Sequence, residues 1–344
     1  MSLILIQSDR FAEHVTPPGH PERPERAGAM NDVASRWRQR GCEIVAPRAA
    51  TVEHLTRVHD AAYVRRIAET SGRAVALDPD TYTSPESYDV ALLAAGAAVD
   101  AVERALGTAG TAAVALVRPP GHHAERNRAM GFCLFNNAAV AAAHARAQGV
   151  ARVAIVDYDV HHGNGTQHTF ESDPYVLYVS MHQFPYYPGT GAAEEVGVAA
   201  GRGFTVNLPL EVGAVDDDYR LVFAEVVGPV VRQFEPELLI VSAGFDAHER
   251  DPLGGMRLTT PAFGAMTAEL RAIAGEVCGG RMAVVTEGGY DLEALAASLD
   301  GVMEALHRRD LAAPAAWPAS GIASSRGRES VEIARQALAP FWRV

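Results

Sequence analysis

Val153-Ala-Ile-Val156 runs directly into Asp157-Tyr-Asp-Val-His161-His-Gly-Asn-Gly165. A short, unbroken aliphatic run that stops at a turn signal reads as a buried strand. The nine residues after it are dense in carboxylates, imidazoles and glycines, which are the groups of a ligand site. The pairing recurs. Residues 113–117 lead into Arg118-Pro-Pro-Gly-His-His123, and 176–179 lead into Ser180-Met-His182. Residues 238–241 lead into Ser242-Ala-Gly-Phe-Asp246, and 283–285 into Thr286-Glu-Gly-Gly-Tyr290. In an open α/β sheet, ligands bind outside the carboxyl ends of the strands. Polar clusters behind successive strands therefore converge on one site.

Between these runs lie segments with helical patterning: 88–106, 137–148 (rich in alanine), 217–233, 260–277 and 292–306. Continuous apolar strands alternating with helices predict an α/β fold whose sheet is parallel and covered on both faces. Leu3–Ile6 reads as a first strand, being too short for a signal-peptide core and lacking a basic segment before it. No stretch reaches the ~18 apolar residues of a membrane span, so no membrane partner is expected. Nothing marks a boundary within 1–310. Residues 312–328 read as an irregular connection and 329–338 as a last helix. The apolar Phe341-Trp342 after it is expected to dock on the domain or on a neighbouring subunit, which leaves a homo-oligomer open. The whole of 1–344 thus reads as a single domain with 312–344 as its tail.

Composition narrows the function. The chain has 344 residues and 48% hydrophobic content, enough for a large core. Lys and Arg number 30 against 42 Asp and Glu, a net charge of −12. Nucleic-acid binders use basic surface to displace counterions, so no nucleic-acid partner is expected. The three cysteines, Cys42, Cys133 and Cys278, form no CxxC pair. This indicates neither a disulfide framework nor a thiolate metal site, and a cytoplasmic location is the expectation.

Asp157, Asp159 and His161 are spaced i, i+2, i+4, which in extended backbone turns all three to one side. A carboxylate and an imidazole of that side, with Asp246 from another strand end, offer an O, O, N ligand set with an open position, as in catalytic zinc sites. The same set also suits Fe(II), Mn or Co. His122 and His123 follow the rigid Pro119-Pro120-Gly121 and can share general-base and general-acid work. A carboxylate behind a histidine, with Asp157 a candidate, raises its basicity; an amide such as Asn164 does so less. Tyr290, after Gly288-Gly289, can donate to an oxyanion. Phe132 and Tyr187 can wall an apolar slot. No GxSxG elbow, Walker loop or dinucleotide fingerprint is present. Metal-assisted hydrolysis of an acyl bond remains.

With these residues in hand, the chain resembles the histone deacetylase superfamily, which shares its fold with arginases. It is most similar to the zinc-dependent class II-type deacetylases and their bacterial, acetylpolyamine amidohydrolase-like relatives. The resemblance runs through His20-Pro-Glu-Arg-Pro-Glu-Arg26, Asp78-Pro-Asp-Thr-Tyr-Thr-Ser-Pro85, 118–137, 157–167, 180–191, 242–258 and 287–290. It implies a three-layer arginase/deacetylase-like fold with a central, mainly parallel eight-stranded sheet. It implies Zn2+ on Asp159, His161 and Asp246, with Fe2+ as the alternative in the cell. His123 would act as general base and acid with His122 as its partner, backed by Asn164 and Asp157 respectively. Tyr290 would hydrogen-bond the tetrahedral intermediate, and Gly131, Phe132, Tyr187 and Leu253 would line a substrate tunnel. Structural K+ or Na+ would sit on Asp157, Asp159, His161 and Ser180, and on Phe170, Asp173 and Val176.

The implied substrates are acyl-lysine in peptides or proteins, or small acylated amines such as acetylpolyamines. Polyamine-selective relatives carry an acid where this chain has Leu253, and long insertions where 78–88 is short. These features favour acyl-lysine or broad amide substrates. Two other readings are a non-catalytic acyl-lysine-binding module and a binuclear ureohydrolase. The second lacks the additional carboxylate ligands it needs.

Overall fold

The aliphatic runs form strands that lie side by side in the sheet. The computed structural model describes residues 3–108, 110–308, 316–318, 321 and 323–344. Its strands are β1 (Leu3–Ile6), β2 (Glu43–Val45), β3 (Val75–Ala76), β4 (Tyr82–Thr83) and β5 (Ala112–Ala115). They continue as β6 (Val153–Asp157), β7 (Val176–Gln183), β8 (Thr205–Leu210), β9 (Leu238–Ala243) and β10 (Met282–Thr286). Eight of them form one sheet in the order β2-β1-β5-β10-β9-β6-β7-β8, and β3 and β4 form a separate small hairpin. Every pairing in the large sheet is parallel. The five strands that carry polar clusters are consecutive neighbours, β5-β10-β9-β6-β7. Register sets their ends level: Asp157 pairs with Ser242 of β9 on one side and with Ser180 of β7 on the other.

Side chains alternate between the two faces, and each face is buried. Ala154 and Val156 of β6 join one core with Leu3, Leu5, Leu239 and Val241. Val153 and Ile155 join the other with Ile4, Ile6, Leu238 and Ile240. Burial on both sides is why these strands read as unbroken apolar runs. Helices Thr260–Val277 and Leu292–His307 cover the first face. Helices Ser87–Gly107 and Asn137–Ala147 cover the second, and their alanines let helix and sheet approach closely.

The structure amends the sequence reading at four places. The strands β2 and β8 lie at the sheet edges and were not evident. The first is three partly exposed residues, and the second carries Asn207 and Pro209, which break its apolar run. Proline is admissible there because an edge strand has amides that need no partner. The segment expected as one helix over 217–233 is two helices, Asp216–Val222 and Gly228–Phe234, joined by a π-helical turn over Phe223–Val227. Pro229 has no amide to continue the regular ladder, and the wider turn absorbs the loss. The last helix starts earlier than expected, at Ser325, and ends at Leu338. Of the expected connection, residues 312–315, 319, 320 and 322 lie outside the described residues.

The tail docks on its own chain. Helix Ser325–Leu338 packs beside β8. Trp342 Nε1 donates to the Gly203 carbonyl (2.6 Å), and its ring meets Phe204 edge-on at 5.8 Å. Trp317 Nε1 donates to Glu269 Oε1 (2.8 Å). No helix among the described residues is long and apolar enough to cross a membrane.

Candidate active site

Beyond the carboxyl end of β6 the chain leaves the sheet, and its side chains are then placed by specific hydrogen bonds. Asp159 Oδ1 accepts from the His161 amide (2.9 Å), and Asp159 Oδ2 from the Gly288 amide (2.9 Å). Asp246 Oδ1 accepts from the Val160 amide (2.9 Å). These bonds aim two carboxylates at one imidazole: His161 Nδ1 lies 3.2 Å from Asp159 Oδ1 and 3.2 Å from Asp246 Oδ2. The three residues are buried, and their ligand atoms all lie within 4.8 Å of one another.

Electrostatics show what this cluster suits. Burial would lower the His161 imidazole, but its bonds to Asp159 and Asp246 outweigh burial and hold it at about 10. Burial and the neighbouring Asp159 charge push Asp246 up to about 7. Two buried carboxylates this close favour a positive charge between them. A divalent cation fits that position, and an Asp, His, Asp donor set is suitable for zinc. Gly288 is required beside it, because a Cβ there would lie 2.2 Å from Asp246 Oδ2.

Asp157 stands behind His122, the place the resemblance implied for it. It is the last residue of β6, and its Oδ2 lies 3.0 Å from His122 Nδ1 and accepts from Tyr178 Oη (3.1 Å). His122 thereby differs sharply from its neighbour. Burial opposes its charge, but Asp159 and Asp157 raise it to about 10. His123 is held well below the usual histidine range by burial and by the adjacent His122 and His161. The two rings stand 4.0 Å apart. His123 Nδ1 lies 2.7 Å from Asn164 Oδ1, the amide partner expected from sequence.

His123, His161 and Tyr290 meet at a cavity of ≈ 170 Å3, which Gly131, Phe132, Tyr187 and Leu253 also line. All four expected tunnel residues are therefore present at its wall. Asp80 and Tyr186 complete the lining and were not anticipated. Gly131 and Phe132 are both left-handed (φ 56° and 68°), which turns the Phe132 ring toward Tyr290, 5.8 Å away. A Cβ on Gly131 would lie 2.4 Å from His123 Cδ2. Ordinary ligand pockets measure ~300–1,000 Å3, so this one is small. A larger hollow of ≈ 650 Å3 lies near β4 and Glu13; it includes none of the cluster residues.

Several residues that shape the site lie in the quoted motifs but were given no role from the sequence. Glu287, pushed up to about 7 by burial, accepts from the Gly121 amide (2.6 Å), the His122 amide (3.2 Å) and Ser242 Oγ (2.8 Å). It ties three strand ends together. Asp251 Oδ2 accepts from the Tyr290 amide (2.6 Å), and its Oδ1 from the Leu253 amide (2.9 Å), which fixes two tunnel residues. Arg26 donates to the Gly289 carbonyl (2.7 Å) and the Glu287 carbonyl (2.5 Å), and its guanidinium lies 4.9 Å from the Tyr290 ring centre. Arg26 and Arg118 share the wholly buried Glu22. The expected alkali-ion residues fall in two places. Asp157 and Ser180 are paired across β6 and β7, and Ser180 Oγ lies 2.9 Å from His182 Nδ1. Phe170, Asp173 and Val176 form the turn into β7, where the Phe170 carbonyl accepts from the Asp173 amide (2.8 Å).

Comparison with known proteins agrees with this geometry. Residues 20–306 match the histone deacetylase domain. The chain is 39% identical to a "Probable deacetylase" of Archaeoglobus fulgidus over 90% of this chain and 87% of that one. It is 42% identical to the human "Polyamine deacetylase HDAC10" over 94% of this chain and 49% of that one. The crystal structure of the HDA15 HD domain superposes with a TM-score of 0.90 at 39% identity, covering 99% of this chain and 95% of that one. An all-parallel eight-stranded α/β sheet with a buried Asp-His-Asp metal site at its carboxyl edge is thus joined to family-wide sequence identity, and the chain belongs to the histone deacetylase family, as a deacetylase-type hydrolase.

Proposed function

We propose that this deacetylase removes acyl groups from acyl-lysine side chains or comparable linear acylated amines, with Zn2+ as its resident ion. The observation that carries the reading is the small cavity lined by His123, His161 and Tyr290, with an aliphatic Leu253 in its wall. An extended alkyl amide fits such a slot, and its apolar walls match methylene groups.

A divalent ion held by Asp159, His161 and Asp246 supplies polarisation of a carbonyl and acidification of water. The chain's own residues do the rest. His123, kept neutral by burial and by the adjacent His122, accepts the proton of the attacking water. His122, bonded at Nδ1 to Asp157 (3.0 Å), provides positive charge beside the developing oxyanion when protonated. The Tyr290 phenol, held neutral by burial, donates a hydrogen bond to that oxyanion. A protonated histidine then returns a proton to the leaving amine. The alkali-ion roles of Asp157, Ser180, Phe170, Asp173 and Val176 form part of this proposal. So does a cytoplasmic setting, which the three buried, unpaired cysteines support.

One observation favours a second reading, acetylpolyamines. Asp80 places a carboxylate in the cavity wall, where it would attract a further ammonium group. Turnover against acetyl-lysine peptide, longer acyl-lysines, acetylputrescine and acetylspermidine decides between them. Peptides are expected to match or exceed the polyamines. A hundredfold preference for acetylpolyamines overturns the first reading.

A further inference from the structure

Asn164 stands where an aspartate would make His123 more basic, and an amide there is ambiguous. In one orientation its carbonyl accepts from His123 Nδ1–H. Turned over, its NH2 donates to Nδ1 and forces the proton onto Nε2. In the second state Nε2 can no longer accept a proton. Something must therefore select the orientation, and the selecting groups lie on the far side of the amide. Asn164 Nδ2 is 2.5 Å from Glu125 Oε1, 3.4 Å from the His123 carbonyl and 3.5 Å from Met130 Sδ. All three partners are acceptors.

Glu125 is the strongest of these, because an ionised carboxylate only accepts. It stays ionised. Burial would raise its pKa, but hydrogen bonds from His168 and Asn164 bring it below the usual value. His168 Nδ1 lies 2.8 Å from the same Oε1 and is itself partly exposed. The loop that carries Glu125 is pinned as well. The Glu125 amide donates to the Arg128 carbonyl (2.9 Å). His59 accepts from the Asn136 amide at Nε2 (2.9 Å), so its Nδ1–H donates to the Glu125 carbonyl (2.9 Å).

We propose that Glu125 is a positioning residue that fixes His123 in its Nδ1–H tautomer by holding the Asn164 amide in one orientation. The choices follow in order. Glu125 can only accept, so Nδ2 of Asn164 turns to it. Oδ1 of Asn164 then faces His123 and can only accept. His123 therefore carries its proton on Nδ1 and keeps the Nε2 lone pair for the reaction. The charge absent from position 164 is supplied by a carboxylate one hydrogen bond further out.

This inference rests on the proposed role of His123 as proton acceptor, and its test separates the two. In Glu125→Gln the new amide can donate or accept, so the selection is lost. The metal-loaded variant is expected to lose at least tenfold in kcat with KM within twofold of wild type. In the double variant Glu125→Gln/Asn164→Asp, residue 164 accepts in either orientation, and most of the lost kcat is expected to return. Two-bond 1H–15N imidazole spectra, with the His123 signal identified by its loss in His123→Phe, report the tautomer without turnover. Wild type is expected to show Nδ1–H, and Glu125→Gln a mixture. The inference is overturned by an Nε2–H tautomer in wild type, which needs no variant to fold. It is also overturned if Glu125→Gln keeps wild-type kcat and tautomer, or if the double variant stays as slow as the single one. Absence of any deacetylation by wild type would instead refute the proposed function and leave the tautomer measurement standing.

Discussion

Replacing Glu22 by glutamine should cost this protein several degrees of thermal stability. The carboxylate is wholly buried and faces two equally buried guanidinium groups. Arg118 binds it with Nε (2.5 Å) and Nη2 (2.7 Å), Arg26 with Nη1 (3.1 Å), and His14 Nε2 lies 3.5 Å away. The Glu22→Gln variant keeps the shape but leaves two arginines without a counter-charge, and breaking a buried pair in this way costs ~3–5 kcal/mol. With an unfolding entropy of ~2.1 cal/mol/K per residue, the 344-residue chain gives roughly 0.7 kcal/mol/K. The expected fall in Tm is therefore about 4–7 °C. Scanning calorimetry at pH 7 measures it, at several scan rates to separate irreversible loss. The pH dependence has a definite sign. Burial alone would raise the Glu22 carboxyl, yet Arg118 and His14 hold it well below the usual range. A depressed carboxylate contributes its full stability above its unfolded value, about 4.3, and loses it as pH falls through the folded value. The gap between wild type and variant should thus be complete at pH 7 and close only in strong acid. A Tm within 1 degree of wild type at pH 7 (roughly the shift from a surface substitution) would refute the reasoning.

Tyr290→Phe should keep one divalent ion per chain, measured by elemental analysis, while kcat falls by roughly 10²–10³, the usual loss of one oxyanion donor; unchanged turnover would remove the phenol from the mechanism. Gly131→Ala forces a Cβ to within 2.4 Å of His123 Cδ2 at a left-handed φ, so steady-state kinetics should show a severe loss of kcat even if the variant folds. Leu253→Glu puts a second acid at the cavity wall beside Asp80, and should raise the acetylspermidine to acetyl-lysine turnover ratio by about fivefold, the equivalent of ~1 kcal/mol for a part-exposed ion pair.

Much of the site could be read from sequence because its residues follow apolar strands directly. Asp159 and His161 sit just past β6, Asp246 just past β9 and Tyr290 just past β10, so finding the strand found the ligand. The supporting groups carry no such marker. Glu22 and Arg26 reach Arg118 and the 287–289 turn across very long sequence separations, and nothing in His20-Pro-Glu-Arg-Pro-Glu-Arg26 says which partners its charges will meet. Glu125 belongs to no ligand pattern in the sequence, and its significance appears only when Asn164 and His168 are placed beside it. The edge strands were lost because one of their faces or ends meets solvent or a polar neighbour, which erases the continuous apolar signal.

The sheet order also governs how the enzyme should fail. The histidine pair extends from β5, the tyrosine from β10, one carboxylate from β9, and the remaining ligands from β6, in four adjacent strands at the centre of the molecule. Among the described residues, the groups that do the chemistry stand on these central strand ends and not on the sheet edges or the tail. A slip of any one strand by a single residue would turn its side chains to the opposite face. Heat inactivation should therefore track cooperative loss of the whole fold, and residual activity can serve as a direct count of intact molecules.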